Sequence, residues 1–258
     1  MIKKMNITKI KKELRKMSQP CSAHDRDFVL RYLGTSKKFL CVKAPDRDKL
    51  LREVLKETKD SSGKKLIAML DELFSSSVHD YINFAGKFLT KSRKARESVS
   101  LRQIEKWVSK TEGWAECDVI CQSLFDEKEV LERWKNWEKF IRKLSKSESP
   151  SAKAAEGLLC SHSAKKSKNI QLRRASLVLQ VKSNGKSHDP RLRKLAFETV
   201  EKLKHEKSVL ITKAISWVLR EMSRKNKEVV KKYLLANKST LPPIAYRETM
   251  RKITTGKK

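Results

Sequence analysis

The sequence predicts an all-α fold, an α-solenoid of HEAT-like or ARM-type antiparallel helix pairs with a concave basic face. Three observations predict the helical architecture. Apolar residues recur at helical spacing almost everywhere, and no two alternating stretches read as paired strands. Seven glycines and six prolines in 258 residues leave few turns and few breakers. Helix pairs succeed one another every 35 to 45 residues or so, about the length of a two-helix repeat. No strict repeat accompanies that spacing, so periodicity supports "HEAT-like" and nothing narrower. One domain over 1–258 is expected.

The candidate helices follow in order. Residues 6–17 form an amphipathic helix with Ile10, Leu14 and Met17 on one face, and 24–33 follows it. Pro45-Asp46 starts 46–59, and periodicity alone carries 62–75 and 78–91. Leu101, Ile104 and Val108 make the stripe of 100–111, with Trp107 on its flank; Cys117, Ile120, Cys121 and Leu124 make that of 114–124. Val130, Trp134, Trp137, Ile141 and Leu144 line 128–146, which places Trp134 and Trp137 in the core. The polar stretch from Leu144 to Asn169 is the weakest part of the pattern, a loop around one short helix at 150–161. Helix 168–183 is apolar nearly all round (Leu172, Ala175, Leu177, Val178, Leu179, Val181) and is expected inside, interrupted by Arg173 and Arg174. Asp189-Pro190 starts 190–205; Ile211, Ala214, Ile215, Val218 and Met222 line 208–224. Asn226 caps 226–237, and Pro242-Pro243 opens 242–253.

Charge narrows the function. There are 61 basic residues against 30 acidic, a net +31, and such an excess calls for an anionic partner, nucleic acid first and an anionic membrane surface second. No apolar run approaches the roughly 18 residues of a membrane span. The basic N-terminus has no apolar block after it and is not a secretory signal. The five cysteines are odd in number and scattered. Cys117 and Cys121 share a helix face without a second pair nearby, so they are expected to be reduced core thiols of a cytoplasmic protein that bind no metal.

Three places depart from plain packing. Trp114 and Asp118 stack at i, i+4 on one edge of their helix, beside its core stripe. A carboxylate near a helix start also has a plain explanation in the helix dipole. Trp217 lies about a third of a turn from the stripe of its helix, between Lys213 and Arg220. It either packs under an adjacent helix or faces a ligand. An arginine on the apolar helix 168–183 either snorkels outward or meets an anion, and phosphate suits its forked donors.

These segments together resemble the AlkD-type DNA alkylation repair glycosylases, a family built of HEAT-like repeats. The matching pieces are "YLGTSKKFLCVKAP" at 32–45, "WAECD" at 114–118, "NIQLRRASLVLQ" at 169–180 and "ITKAISWVLREMSRKNKEVV" at 211–230, in the family's order. The resemblance implies removal of cationic N3- and N7-alkylated purines from double-stranded DNA, without metal or cofactor. It implies Asp118 as the catalytic carboxylate, Trp114 and Trp217 as the indoles flanking the lesion, and Arg174 as a DNA-contacting arginine. Gln171 stands where the family often carries Trp, Cys41 where it has Gly, and 147–168 matches poorly.

The implied chemistry fits the residue types. Breaking an N-glycosidic bond leaves positive charge on the sugar, and an alkylated purine already cationic departs neutral. No general acid is then needed, and one carboxylate suffices where glycoside hydrolysis commonly uses two. Asp118 stabilises the sugar cation and orients water; the indoles present π faces to a cation. Lys213, Arg174 and Arg220 are the candidate phosphate contacts, with Arg173, Lys37 and Lys38 as weaker ones. The expected partner is duplex DNA, bound by a monomer, with no membrane. Two other readings stay open: a non-catalytic DNA-binding protein of the same fold, and a basic helical-repeat scaffold or RNA-binding protein.

Overall fold

The structure, a computed structural model, describes residues 7–20, 22–147 and 162–257. The short helix expected at 150–161 lies outside them. Among the described residues there is no strand, only one isolated parallel bridge between Lys38 and Val78. The all-α class is the observed one. The chain divides into two compact units, Met1–Leu124 and Phe125–Lys258.

The first unit holds α1 (Ile7–Lys16), α2 (Ala23–Leu33), α3 (Ala44–Glu57), α4 (Gly63–Phe74), α5 (His79–Lys91), α6 (Arg93–Glu97), α7 (Leu101–Val108) and α8 (Trp114–Ser123). Short polar residues start several of these helices. The hydroxyls of Ser62, Ser92 and Ser100 accept N–H bonds from Lys65, Ala95 and Gln103, satisfying donors the first helical turn cannot. Helix α5 is the hub, packed against α1, α3, α4, α6 and α8, and so is apolar on several faces. Gly86 sets how near α8 comes. A Cβ there would sit 2.2 Å from a methyl of Val119, so only glycine allows this crossing without a shift. Trp107, expected on a flank, is fully buried: it meets Phe74 with ring centroids 4.6 Å apart, and its Nε1–H donates to Asp71 at 2.6 Å.

The second unit holds α9 (Glu127–Glu132), α10 (Trp134–Ser145), α11 (His162–Val178), α12 (Val181–Asn184), α13 (Pro190–Leu203), α14 (Val209–Met222), α15 (Lys227–Ala236) and α16 (Pro243–Thr255). Here α14 is central, against α11, α12, α13, α15 and α16. Its expected stripe of Ile211, Ala214, Ile215, Val218 and Met222 is entirely buried. Two single helices of the sequence reading are broken ones. The 128–146 helix stops and restarts at Arg133, and 168–183 breaks around Leu179 and Gln180. The first break corrects the placement of Trp134. It opens α10 half-buried, with the Arg191 guanidinium 5.5 Å from its ring centroid, whereas Trp137 is core. A strong capping box, Asp126 with Glu129, starts α9 on its own, so one stripe does not run through both helices.

Candidate nucleic-acid interface

In the first unit the site is built on the start of α8. Residues 35–42 form an irregular strap, and carboxylates pin it. Glu112 Oε2 accepts from the Ser36 N–H (2.7 Å) and hydroxyl (2.8 Å). Asp80, buried at the start of α5, accepts from the N–H of Leu40 (2.7 Å) and of Val42 (3.3 Å). The centre is Glu116, wholly buried in the first turn of α8. Its carboxylate accepts from Lys37 Nζ and Thr35 Oγ1, both at 2.8 Å, and from the Glu112 N–H at 3.0 Å; His79 Nδ1 lies 3.6 Å away. Burial pushes the Glu116 carboxyl up, but the His79 imidazole, the Lys37 ammonium and the Glu112 N–H together hold it down at about 2.

The same turn seats Trp114. Gly113 precedes it because backbone passes there: a Cβ would lie 2.0 Å from the Leu33 carbonyl oxygen and 2.6 Å from that of Gly34. That approach brings the end of α2 against α8, where the Trp114 Nε1–H donates to the Tyr32 carbonyl at 2.6 Å. The Trp114 and Tyr32 rings meet edge to face, centroids 5.4 Å apart. Tyr32 in turn stacks on Phe28 at 6.4 Å, and both are well exposed. The half-buried indole therefore has its polar edge satisfied and one side fixed. Asp118, also half-buried, follows one turn later on α8. It lies beyond the first turn, so the dipole explanation belongs to Glu116 instead. Sequence reasoning missed Tyr32 and Phe28. Their i, i+4 spacing on α2 was the available signal.

In the second unit four of the expected residues line one cleft of about 510 Å³: Arg174 from α11, and Lys213, Trp217 and Arg220 from α14. Glu221, Arg224, Glu248 and Lys252 complete its lining. The off-stripe position of Trp217 thus gives it a cleft wall. Five cations surround two carboxylates, and each carboxylate has a neighbour: Glu221 pairs with Arg224 at 3.0 Å, and Glu248 lies 3.6 Å from Arg220. Arg174 is nearly buried and one of its terminal amino groups donates to the Leu210 carbonyl, which fixes the side chain where it enters the cleft. A wall of cations with one indole suits a phosphate chain better than an apolar small molecule.

Two weaker assignments change. Arg173 is 4% exposed and forks onto Glu206 at 2.6 and 3.0 Å, while a terminal amino group donates to the Ser147 carbonyl at 3.1 Å. It serves the packing of the second unit, not the cleft. Lys37 is buried on Glu116, as described; Lys38 is exposed. Gln171 is fully buried in α11. Cys117 and Cys121 are free thiols, sulfurs 4.0 Å apart. Among the described residues no group of three His, Cys, Asp or Glu is arranged to hold a metal, and no helix is long and apolar enough to cross a membrane.

Comparisons with known proteins bear on the family and the fold. The family model described as "DNA alkylation repair enzyme" matches residues 10–165 and 160–253. A solved structure, a predicted DNA alkylation repair enzyme from Enterococcus faecalis, superimposes with a TM-score of 0.65 at 18% identity, covering 93% of this chain and 99% of its own. It shows a shared fold. No curated protein matches.

Proposed function

The chain belongs to the DNA alkylation repair enzyme family, and from that premise we propose that it is a DNA glycosylase that excises cationic N3- and N7-alkylated purines from double-stranded DNA. The observation that carries the reading is the cleft of the second unit. Residues singled out in two distant sequence segments, Arg174 and the trio Lys213, Trp217 and Arg220, line it together. Arg224 and Lys252 extend the same cationic wall. In this reading the wall takes backbone phosphates, and each neutralised phosphate releases condensed counterions.

Asp118 supplies the chemistry. As the bond from the sugar to the cationic base breaks, the electron pair leaves with the base, which departs neutral. The positive charge moves to the sugar, where the Asp118 carboxylate stabilises it and orients the attacking water. The family resemblance assigns Trp114 and Trp217 the part of offering a π face to a cation, worth about 0.5–2 kcal/mol each depending on desolvation. The protein acts as a monomer, in the cytoplasmic compartment, and draws on no metal for this step.

The test is to incubate the protein with duplex DNA carrying N7-methylguanine and to analyse the small molecules released. Free N7-methylguanine with an abasic site left in the strand is the expected result. Duplex binding without base release identifies a non-catalytic DNA-binding member of the fold. Preference for RNA, or for neither nucleic acid, overturns the reading.

A further inference from the structure

Glu248 is a carboxylate in a cleft otherwise suited to phosphate, where a bare negative charge opposes binding. Its contacts give it a different part. Its Oε2 accepts a 2.5 Å hydrogen bond from the Ser216 hydroxyl and lies 3.6 Å from Arg220 Nε. The Arg220 Nε–H donates to the Ser216 carbonyl, with Nε 3.3 Å from the oxygen. Ser216 is fully buried and immediately precedes Trp217. One turn of α14, residues 216 to 220, is thus gathered around a single oxygen brought by α16.

The consequence falls on Arg220. Its Nε edge is engaged, its terminal amino groups make no hydrogen bond among the described residues, and the residue lines the cleft. An arginine side chain held in one geometry gives up rotamer freedom, and a guanidinium near other cations is pushed to splay away from them. Glu221 is a poor comparison. Its pair with Arg224 is an i, i+3 contact to an arginine side chain 60% exposed, a kind of pair that holds little. Glu248 is itself fastened by a buried hydroxyl and reaches Arg220 from another helix.

We infer that Glu248 is a positioning residue: it holds Arg220 with its forked donors presented to a DNA phosphate, so that an acid in the cleft strengthens the binding of a polyanion. This rests on the DNA reading above but not on excision.

Its sign makes it testable in the full-length protein with an undamaged DNA duplex as probe. Glu248→Gln keeps an oxygen for Ser216 and removes the charge beside Nε. Duplex affinity should fall about 5-fold, and the log–log salt dependence should flatten by about the 0.9 expected for one phosphate contact. Arg220→Ala should do the same, and the double variant should be no worse than Arg220→Ala alone. Ser216→Ala, which frees the carboxylate while leaving both charges, should weaken binding in the same direction, and serves as the test should Glu248→Gln not fold. Unchanged or tighter binding by Glu248→Gln overturns the proposal, because removing a merely repulsive charge gives that result. So does a double variant whose losses multiply. Salt-sensitive duplex binding without release of N7-methylguanine removes the glycosylase reading and leaves this one standing. No duplex binding by the unaltered protein sinks both.

Discussion

Acid should strip a definite share of the protein's stability through the carboxylate at the start of α8, and Glu116 sets the size of the effect. In the folded protein its carboxyl is held at about 2, against an ordinary value of 4.5. That difference, at about 1.4 kcal/mol per pH unit, corresponds to about 3 kcal/mol. Because the folded value is the depressed one, the stabilisation is fully present above pH 4.5 and drains away as pH falls from 4.5 toward 2. Glu116→Gln removes the titration and leaves Lys37 buried without its countercharge. At pH 7 that variant should be less stable by about 3 kcal/mol, the scale of breaking a buried ion pair. The assay is denaturant unfolding of both proteins at a series of pH values, followed by tryptophan fluorescence. The other carboxylates titrate in both proteins and cancel in the difference. The gap should be widest at neutral pH and close as pH approaches 2. A gap that is independent of pH would show that Glu116 is not held ionised by its neighbours and would refute the reasoning.

Three further substitutions separate the parts of the molecule. Asp118→Asn keeps the shape and deletes the charge, so excision of N7-methylguanine in single-turnover kinetics should fall by about 10²–10³-fold, while affinity for undamaged duplex holds or rises. Arg173→Ala strips the partner from Glu206 and should cost about 3 kcal/mol in an unfolding titration, with the salt dependence of DNA binding unchanged. A flattened salt dependence would return Arg173 to the DNA surface. Cys41→Gly should raise the unfolding free energy by about 0.5–1 kcal/mol, read as a higher midpoint: Cys41 sits at φ 56°, where a side chain costs about 1–2 kcal/mol, of which glycine's freedom in the unfolded chain returns part. A lowered midpoint would mean the thiol's contacts outweigh the strain.

Local patterns were legible in the sequence, and what depends on distant partners was not. The stripes of α8 and α14 hold residue by residue, because a helix face is written in consecutive turns. Trp217 was visible as an aromatic off its stripe for the same reason. The departure at Cys41, where the family carries glycine, has its counterpart in a left-handed backbone. Periodicity alone could not tell Arg173 and Arg174 apart, since both interrupt a helix that is apolar nearly all round; only the family resemblance ranked Arg174 first. Glu206, 33 residues on, takes up the first, and the Leu210 carbonyl holds the second where it lines the cleft. Lys37 was one lysine among many until Glu116, 79 residues away, accounted for it. Tyr32 and Phe28 were passed over because exposed aromatics leave no stripe to violate.

Helix α2 has a consequence for measurements made in exchange rather than in binding. None of its described side chains is buried, so little apolar surface is exposed when it opens. Such a helix should sample open forms at a free energy well below that of global unfolding. Its fastening is concentrated at its C-terminal end, in the close passage at Gly113 and in the acceptor that Tyr32 offers Trp114. Each opening therefore withdraws the partner of the indole N–H. In deuterated solvent the amides of α2 should exchange early, those of α5 and α14 late. Gly113→Ala should quicken the first group selectively. A ligand that needs Trp114 in place would slow it, so the readiness of that indole would be governed by a local opening equilibrium several residues away from any chemistry.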